Sequence, residues 1–153
     1  MGRSKELWAI EQIKQLKARY FRFMDTKDWE GLPTLFTQDV EADYRLAMLD
    51  PAEGQPDMAS LAEHQLNGRD TVCAYIRTGL TPLTSVHKGY MPEIEIIDKH
   101  TAKGIWPMTD ELHFKEGPLR LIRGQGHYHE PSRIEDDQWR IATIRLPRLK
   151  LEQ

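Results

Sequence analysis

An α+β fold, with helices packed on one face of a sheet, follows from three features of this sequence. Apolar residues recur at helical spacing near the N-terminus, the period changes to two from Val86 onward, and turn signals separate consecutive long apolar runs. The length of 153 residues and mass of 17.9 kDa fit one domain spanning 1–153.

The elements follow in order. Leu7, Ile10, Ile13, Leu16, Tyr20 and Met24 recur at three or four, with Lys5, Glu11, Lys14 and Lys17 between them. Ser4 is the expected N-cap, and Glu6 lies in the favourable first turn. A short second helix is expected after Asp28, with Trp29, Leu32, Leu35 and Phe36 apolar and Pro33 tolerated in its first turns. Val40 to Tyr44 reads as a strand. Residues 47–66, with Pro51, Gly54 and Pro56, read as a loop and a candidate lid. A third helix is expected from Gly68 to Leu80, stopped by Pro82. Ile94 and Ile96 then alternate, as do Trp106, Met108, Asp110, Leu112 and Phe114. Gly117-Pro118 and Asp136-Asp137 mark turns. The long run from Leu119 to Ile134 should bend at Gly124 and Gly126, and Trp139 to Leu149 closes the set.

Composition narrows the function classes. Twenty-one Lys+Arg against 24 Asp+Glu give a net charge of −3, which argues against a general nucleic-acid or anionic-membrane binder. The single cysteine, Cys73, excludes an intrachain disulfide framework and a multi-cysteine zinc site. The N-terminal stretch does not read as a signal peptide, and no apolar run is long enough to span a bilayer. A cytoplasmic protein is the expectation. Glycine-rich phosphate loops, GxSxG and HExxH are absent, so any chemistry is expected to be acid–base, with no cofactor.

Several residues invite a chemical reading beside a structural one. Asp25 sits where a carboxylate opposes the helix dipole; it either makes an Asx-turn in the Asp-Thr-Lys-Asp corner or has a task elsewhere. Asp110 occupies an apolar strand face, where a carboxylate must be paired, unless the strand bends it into solvent. His87 opens a strand and is the side chain suited to proton exchange near neutral pH. His127 and His129 share one strand face and form either a metal pair or polar aromatic packing, as at a subunit contact. Tyr20 and Tyr44 are phenol donors or ordinary core. Arg145 and Arg148 differ in parity, so at most one faces the interior of a regular strand. Met24, Met48, Met91 and Met108 suit an adaptable apolar cavity or plain core.

The runs ARYFRFMDTKDWEGLPTLFTQDVEADY (18–44), VHKGYMPEIEI (86–96), TAKGIWPMTDEL (101–112), GQGHYHE (124–130) and DQWRIATIRLPRL (137–149) together resemble the SnoaL-like family of the nuclear-transport-factor-two-like superfamily. The resemblance implies a cone: a strongly curved antiparallel sheet with about three N-terminal helices closing its open side and a ligand site within. The superfamily holds dehydratases, a dehydrochlorinase, polyketide cyclases, epoxide hydrolases, dioxygenase subunits and non-enzymatic binders, so fold alone does not fix function. Its lyases pair a strand histidine with an aspartate after the first helix, positions matched by His87 and Asp25. Tyr20, Tyr44 and Asp110 match further positions by context, and Arg148, ahead of Arg145, matches the arginine of the last strand. Trp106, Met108, Met91 and His127 join Arg148 as expected substrate contacts.

The resemblance thus implies a cofactor-independent, metal-free lyase that eliminates water or a similar group from a hydrophobic cyclic or aromatic small molecule. A cyclase, isomerase or aldol-type carbon–carbon lyase with the same dyad is the alternative, as is a non-catalytic binding or subunit role. A homo-oligomer is expected, a trimer before a dimer, with the outer sheet face around Ile105 and Pro107 as the contact. The departure from many relatives is the length of the 47–66 loop.

Overall fold

The computed structural model of the protein describes residues 1–153. Helix α1 (Arg3–Thr26) starts from Gly2 rather than Ser4, whose hydroxyl is already inside the first turn. The stripe Ile13, Leu16, Tyr20, Met24 is buried as its spacing requires, whereas Leu7 and Trp8 are exposed. Lys17 departs from its expected place among the solvent-facing charges. It lies four residues after Ile13 and three before Tyr20, on the buried stripe, and is 2% exposed.

Lys27 ends α1 in the left-handed region at φ 58°, with its N–H bonded to the Met24 carbonyl and the Asp28 N–H to that of Phe23. This is a Schellman closure made without glycine. Asp28 then accepts from the Gly31 N–H at 2.9 Å, so it caps a turn and not a second α-helix. The expected second helix is a 3-10 turn, Leu32–Leu35, with Pro33 in its first positions.

Strand β1 (Phe36–Asp43) starts four residues earlier than its apolar pattern suggests. The 47–66 segment is not one loop. Three 3-10 turns, Leu46–Met48, Pro51–Glu53 and Met58–His64, lead into the short β2 (Gln65–Asn67). Asp50 and Asp57 cap two of them by accepting from Ala52 and Ala59 N–H groups. Helix α2 (Arg69–Leu80) buries Val72 and Ile76.

The remaining chain is strand: β3 (Leu83–Gly89), β4 (Glu93–Ile96), β5 (Thr101–Phe114), β6 (Leu121–Glu135), β7 (Gln138–Arg145) and β8 (Arg148–Glu152). The eight strands form one sheet ordered β2-β1-β7-β6-β5-β3, with β4 also on β5 and β8 also on β6. The long β5–β6 pair is the spine, in register from Thr101↔Arg133 to His113↔Leu121. Each spine strand serves two partners on its far edge: β5 pairs with β4 and then β3, and β6 with β8 and then β7.

Proline marks the changeovers. Pro107, which has no N–H to donate, falls between the β4 and β3 ladders, and Pro147 separates β7 from β8. The expected closing strand Trp139–Leu149 is therefore two strands. A register shift in β6 between His129 and Ser132, around Pro131, adds bending. The sheet is curved and unclosed, an α+β cone, but it is mixed rather than wholly antiparallel, because β1 pairs in parallel with β7.

The concave face takes α1. Alternate residues of β5 (Ala102, Gly104, Trp106, Met108, Asp110) and of β6 (Gly124, Gly126, Tyr128, Glu130, Ser132) point to it. A Cβ on Gly104 would occupy the space of the Trp106 ring. Trp106, Tyr128, Ile141 and Ile144 meet Ile13, Leu16 and Tyr20 in one core. No helix is long and apolar enough to cross a membrane.

Candidate active site

The Schellman closure holds the last turn of α1 against β3 and so sets Asp25 opposite the strand. Its Oδ2 accepts from the His87 backbone N–H at 2.7 Å. Its Oδ1 accepts from the Ser85 hydroxyl at 2.9 Å and contacts His87 Nδ1 at 2.6 Å. A carboxylate can only accept, so Nδ1 carries a proton and Nε2 is the free basic nitrogen. The His87 side chain is 6% exposed and lies near-parallel to the Phe21 ring, centroids 6.3 Å apart. The Asx-turn reading of Asp25 is thereby replaced by contacts across to the sheet.

Asp110 faces His87 across the β3–β5 pair. Its Oδ2 is 4.0 Å from His87 Nε2, too far for a hydrogen bond. The strand does not bend it into solvent. Instead Arg148 meets it through two parallel bonds, Nη1 to Oδ1 at 2.7 Å and Nη2 to Oδ2 at 3.0 Å. Arg148 Nε also donates to the Ala47 carbonyl at 3.0 Å, which ties the first 3-10 turn of the 46–64 segment to the same pair. Gly124 makes room, since a Cβ there would run into both charged groups. The break at Pro147 restarts the alternation, so Arg148 points in while Arg145 is exposed.

Tyr20 and Tyr44 approach hydroxyl to hydroxyl at 3.0 Å in the buried interior. Burial, with neighbouring phenols and Glu130, pushes the Tyr20 pKa well up, and burial does the same for Tyr44. Both are therefore neutral donors at physiological pH. Tyr44 stacks on Tyr75 at 5.5 Å, and the Tyr75 hydroxyl meets His64 Nδ1 at 2.6 Å.

The structure thus brings His87, Asp25, Asp110 and Arg148 into one contiguous group, with Tyr20, Tyr44, Trp106 and Met108 on the same side of the sheet. Met91 and His127 lie elsewhere. Met91 is in the connection between β3 and β4 and is 87% exposed. His127 pairs with Pro107 on the outer face. His129 shares that face, and burial together with Arg145 and His127 lowers its pKa. No three His, Cys, Asp or Glu side chains are grouped to hold a metal ion.

Two interior residues escaped the sequence reading. Tyr128 and Glu130 sit between and beside the histidines that drew notice in His-Tyr-His-Glu. Their parity with Gly124 and Gly126, and their register with Trp106 and Gly104, is the signal that places them inside. Glu130 forms a buried ion pair with Lys17. A groove of about 760 Å³ opens on the outer face, bordered by Glu41, Asp43, Glu95, Lys103, His129 and Arg145.

Residues 5–145 match the SnoaL-like domain family. A probable cyclase of Gibberella zeae, FGR4, is 25% identical over 150 residues, covering 97% of this chain and 95% of its own. Among solved structures, a scytalone dehydratase candidate from Novosphingobium aromaticivorans superposes with a TM-score of 0.79 at 16% identity, over 97% of this chain and 89% of its own. The type-3 hexachlorocyclohexane dehydrochlorinase LinA from Novosphingobium barchaimii LL02 gives 0.76 at 14% identity, over 99% and 93%. At these identities the two structures establish likeness of fold.

Proposed function

We propose that this chain, which belongs to the SnoaL-like family, is a cofactor-free lyase that performs an elimination on a hydrophobic cyclic or aromatic small molecule. The observation that carries the reading is the Asp25–His87 contact, which leaves Nε2 as a free base facing the interior. His87 Nε2 takes a proton from a carbon next to an activating carbonyl or phenol. Asp25 fixes the tautomer and stabilises the imidazolium that forms. The electron pair moves onto the activating oxygen, where Tyr20 or Tyr44 donates a hydrogen bond. It then returns to expel the leaving group from the adjacent carbon, and the imidazolium proton goes to that group or to water. Asp110, held by Arg148, anchors the substrate or assists departure, and Trp106 and Met108 supply apolar contact.

Two structural neighbours, one named as a scytalone dehydratase candidate and the other as a dehydrochlorinase, fit an elimination. The relation to the Gibberella zeae protein favours cyclisation by the same dyad as a second reading. We also place a homo-oligomer contact, trimeric before dimeric, on the outer face at Ile105 and Pro107, and the protein in the cytoplasm, where the free Cys73 stays reduced.

Turnover should first be sought on a panel of hydrophobic ring compounds carrying a leaving group beside an acidic carbon. His87→Ala and Asp25→Asn should each then lower it by about two to four orders of magnitude. The double variant should lose little more than the worse single one, because the two act as a unit. Near-wild-type turnover in folded His87→Ala would remove the mechanism and leave a binding module.

A further inference from the structure

Lys17 and Glu130 are the least exposed charged side chains of the core, at 2% and 1%, and the mechanism above uses neither. Glu130 is the one hydrogen-bond acceptor that Lys17 Nζ meets. The rest of the ammonium faces aromatic rings: 3.4 Å from the Tyr128 centroid, 4.0 Å from Tyr20 and 4.9 Å from Phe21. Burial lowers the Lys17 pKa to about 8 and raises that of Glu130, so desolvation works against both charges. A buried pair of this kind is often matched or bettered in stability by apolar residues of the same volume. Stability is therefore a weak reason for two charges to occupy the centre of the core.

We propose that the Lys17–Glu130 pair is a positioning device for the phenols above it: the ammonium, held by Glu130 against the faces of Tyr20 and Tyr128, withdraws electron density from the rings and makes the Tyr20 hydroxyl a stronger hydrogen-bond donor. The cation attracts the negative face of each ring and stabilises negative charge that builds on the phenol oxygen. The α1 stripe supplies the geometry, because Lys17 and Tyr20 are one turn apart and Asp25 follows on the same helix. Lys17 touches no reacting atom and acts through Tyr20. Its consequence for catalysis rests on the reading in which Tyr20 binds a developing oxyanion.

The test needs no substrate. A trifluorinated tyrosine placed at position 20 brings its phenol into a range where absorbance follows the titration. The same label at Tyr90, which is half exposed and away from Lys17, is the control. In the Lys17→Met/Glu130→Leu variant, which removes both charges, the chain should fold with wild-type stability or better. Glu130 by itself raises the Tyr20 pKa, so this variant reads the net effect of the pair: with the ammonium on the ring face outweighing the carboxylate, the position-20 phenol should become about tenfold less acidic, a rise of one pKa unit, while position 90 is unchanged. An unmoved titration at position 20 overturns the proposal. So does failure of the variant to fold, which would assign the pair to scaffolding. A shifted titration beside absent turnover sinks the enzymatic reading alone; dyad-dependent turnover with no shift sinks this inference alone.

Discussion

Arg148 joins three parts of the interior that lie far apart in sequence: the carboxylate of Asp110, the Ala47 carbonyl and the space left by Gly124. Removing it should leave Asp110 buried and unpaired. Arg148→Met is expected to destabilise the fold by about 3–5 kcal/mol, read by urea unfolding, and Arg148→Met/Asp110→Leu to recover most of that loss. If the single variant unfolds like the wild type, the pair is not an energetic unit. At this scale the sequence was readable where chemistry and face conflict. Asp110 among Trp106, Met108 and Leu112 called for a partner or a bend into solvent, and Asp25 at the wrong end of a helix dipole called for an Asx-turn or a task elsewhere; the structure selects the partner and the contact across to the sheet. The partners were less readable. Arg148 depends on a restart of alternation at Pro147 that parity counting does not see. Lys17 reads as a surface charge until its place between Ile13 and Tyr20 is weighed against its residue type. Met91 and His127 carry suitable chemistry but are exposed or on the other face, because a residue's type does not say which way its strand is turned.

Elements were legible by period and blurred at their ends. The helix α1, the helix α2 and the long strands β5 and β6 fall where spacing of three to four or two puts them. The second helix failed because Pro33 and the Gly31 turn leave room for one 3-10 turn only. The Asp136-Asp137 turn between β6 and β7 was legible from composition, and both residues have positive φ, 53° and 60°. That is the requirement of a two-residue type I′ hairpin, in which glycine at the second position is favoured. Asp137→Gly should therefore raise stability by about 1 kcal/mol, seen as a higher unfolding midpoint; an unchanged or lower midpoint counts against the strain. Helix α2 carries the one thiol. Burial pushes the Cys73 pKa up from 9.0 to about 11, so its thiolate fraction near pH 8 is smaller by about a hundredfold than that of an unperturbed thiol. Alkylation by iodoacetamide at that pH should be slower by a comparable factor, and a rate equal to that of glutathione would contradict it.

For the molecule as a whole, the outer face combines half-buried Ile105 and Pro107 with the charged groove beside them. If that face joins subunits, light scattering at micromolar concentration should report a multiple of 17.9 kDa, three before two, and Ile105→Glu should reduce it toward a single chain. A wild-type monomer would end the idea. The parallel pairing of β1 with β7 has another consequence, one of timing. Phe36 meets Ile141 and Asp43 meets Arg145, residues about a hundred positions apart, and strands β2 to β6 lie between them in sequence. On a ribosome, β1 has only β2 as a strand partner until nearly the whole chain has emerged, while Lys17 waits for Glu130 and Asp25 for His87. Closure of so long a loop places folding toward the slow, millisecond-to-second end for chains of this kind. Nascent chains released before residue 138 should then be trapped by chaperones or proteases, although they already contain α1, α2 and the complete β5–β6 spine.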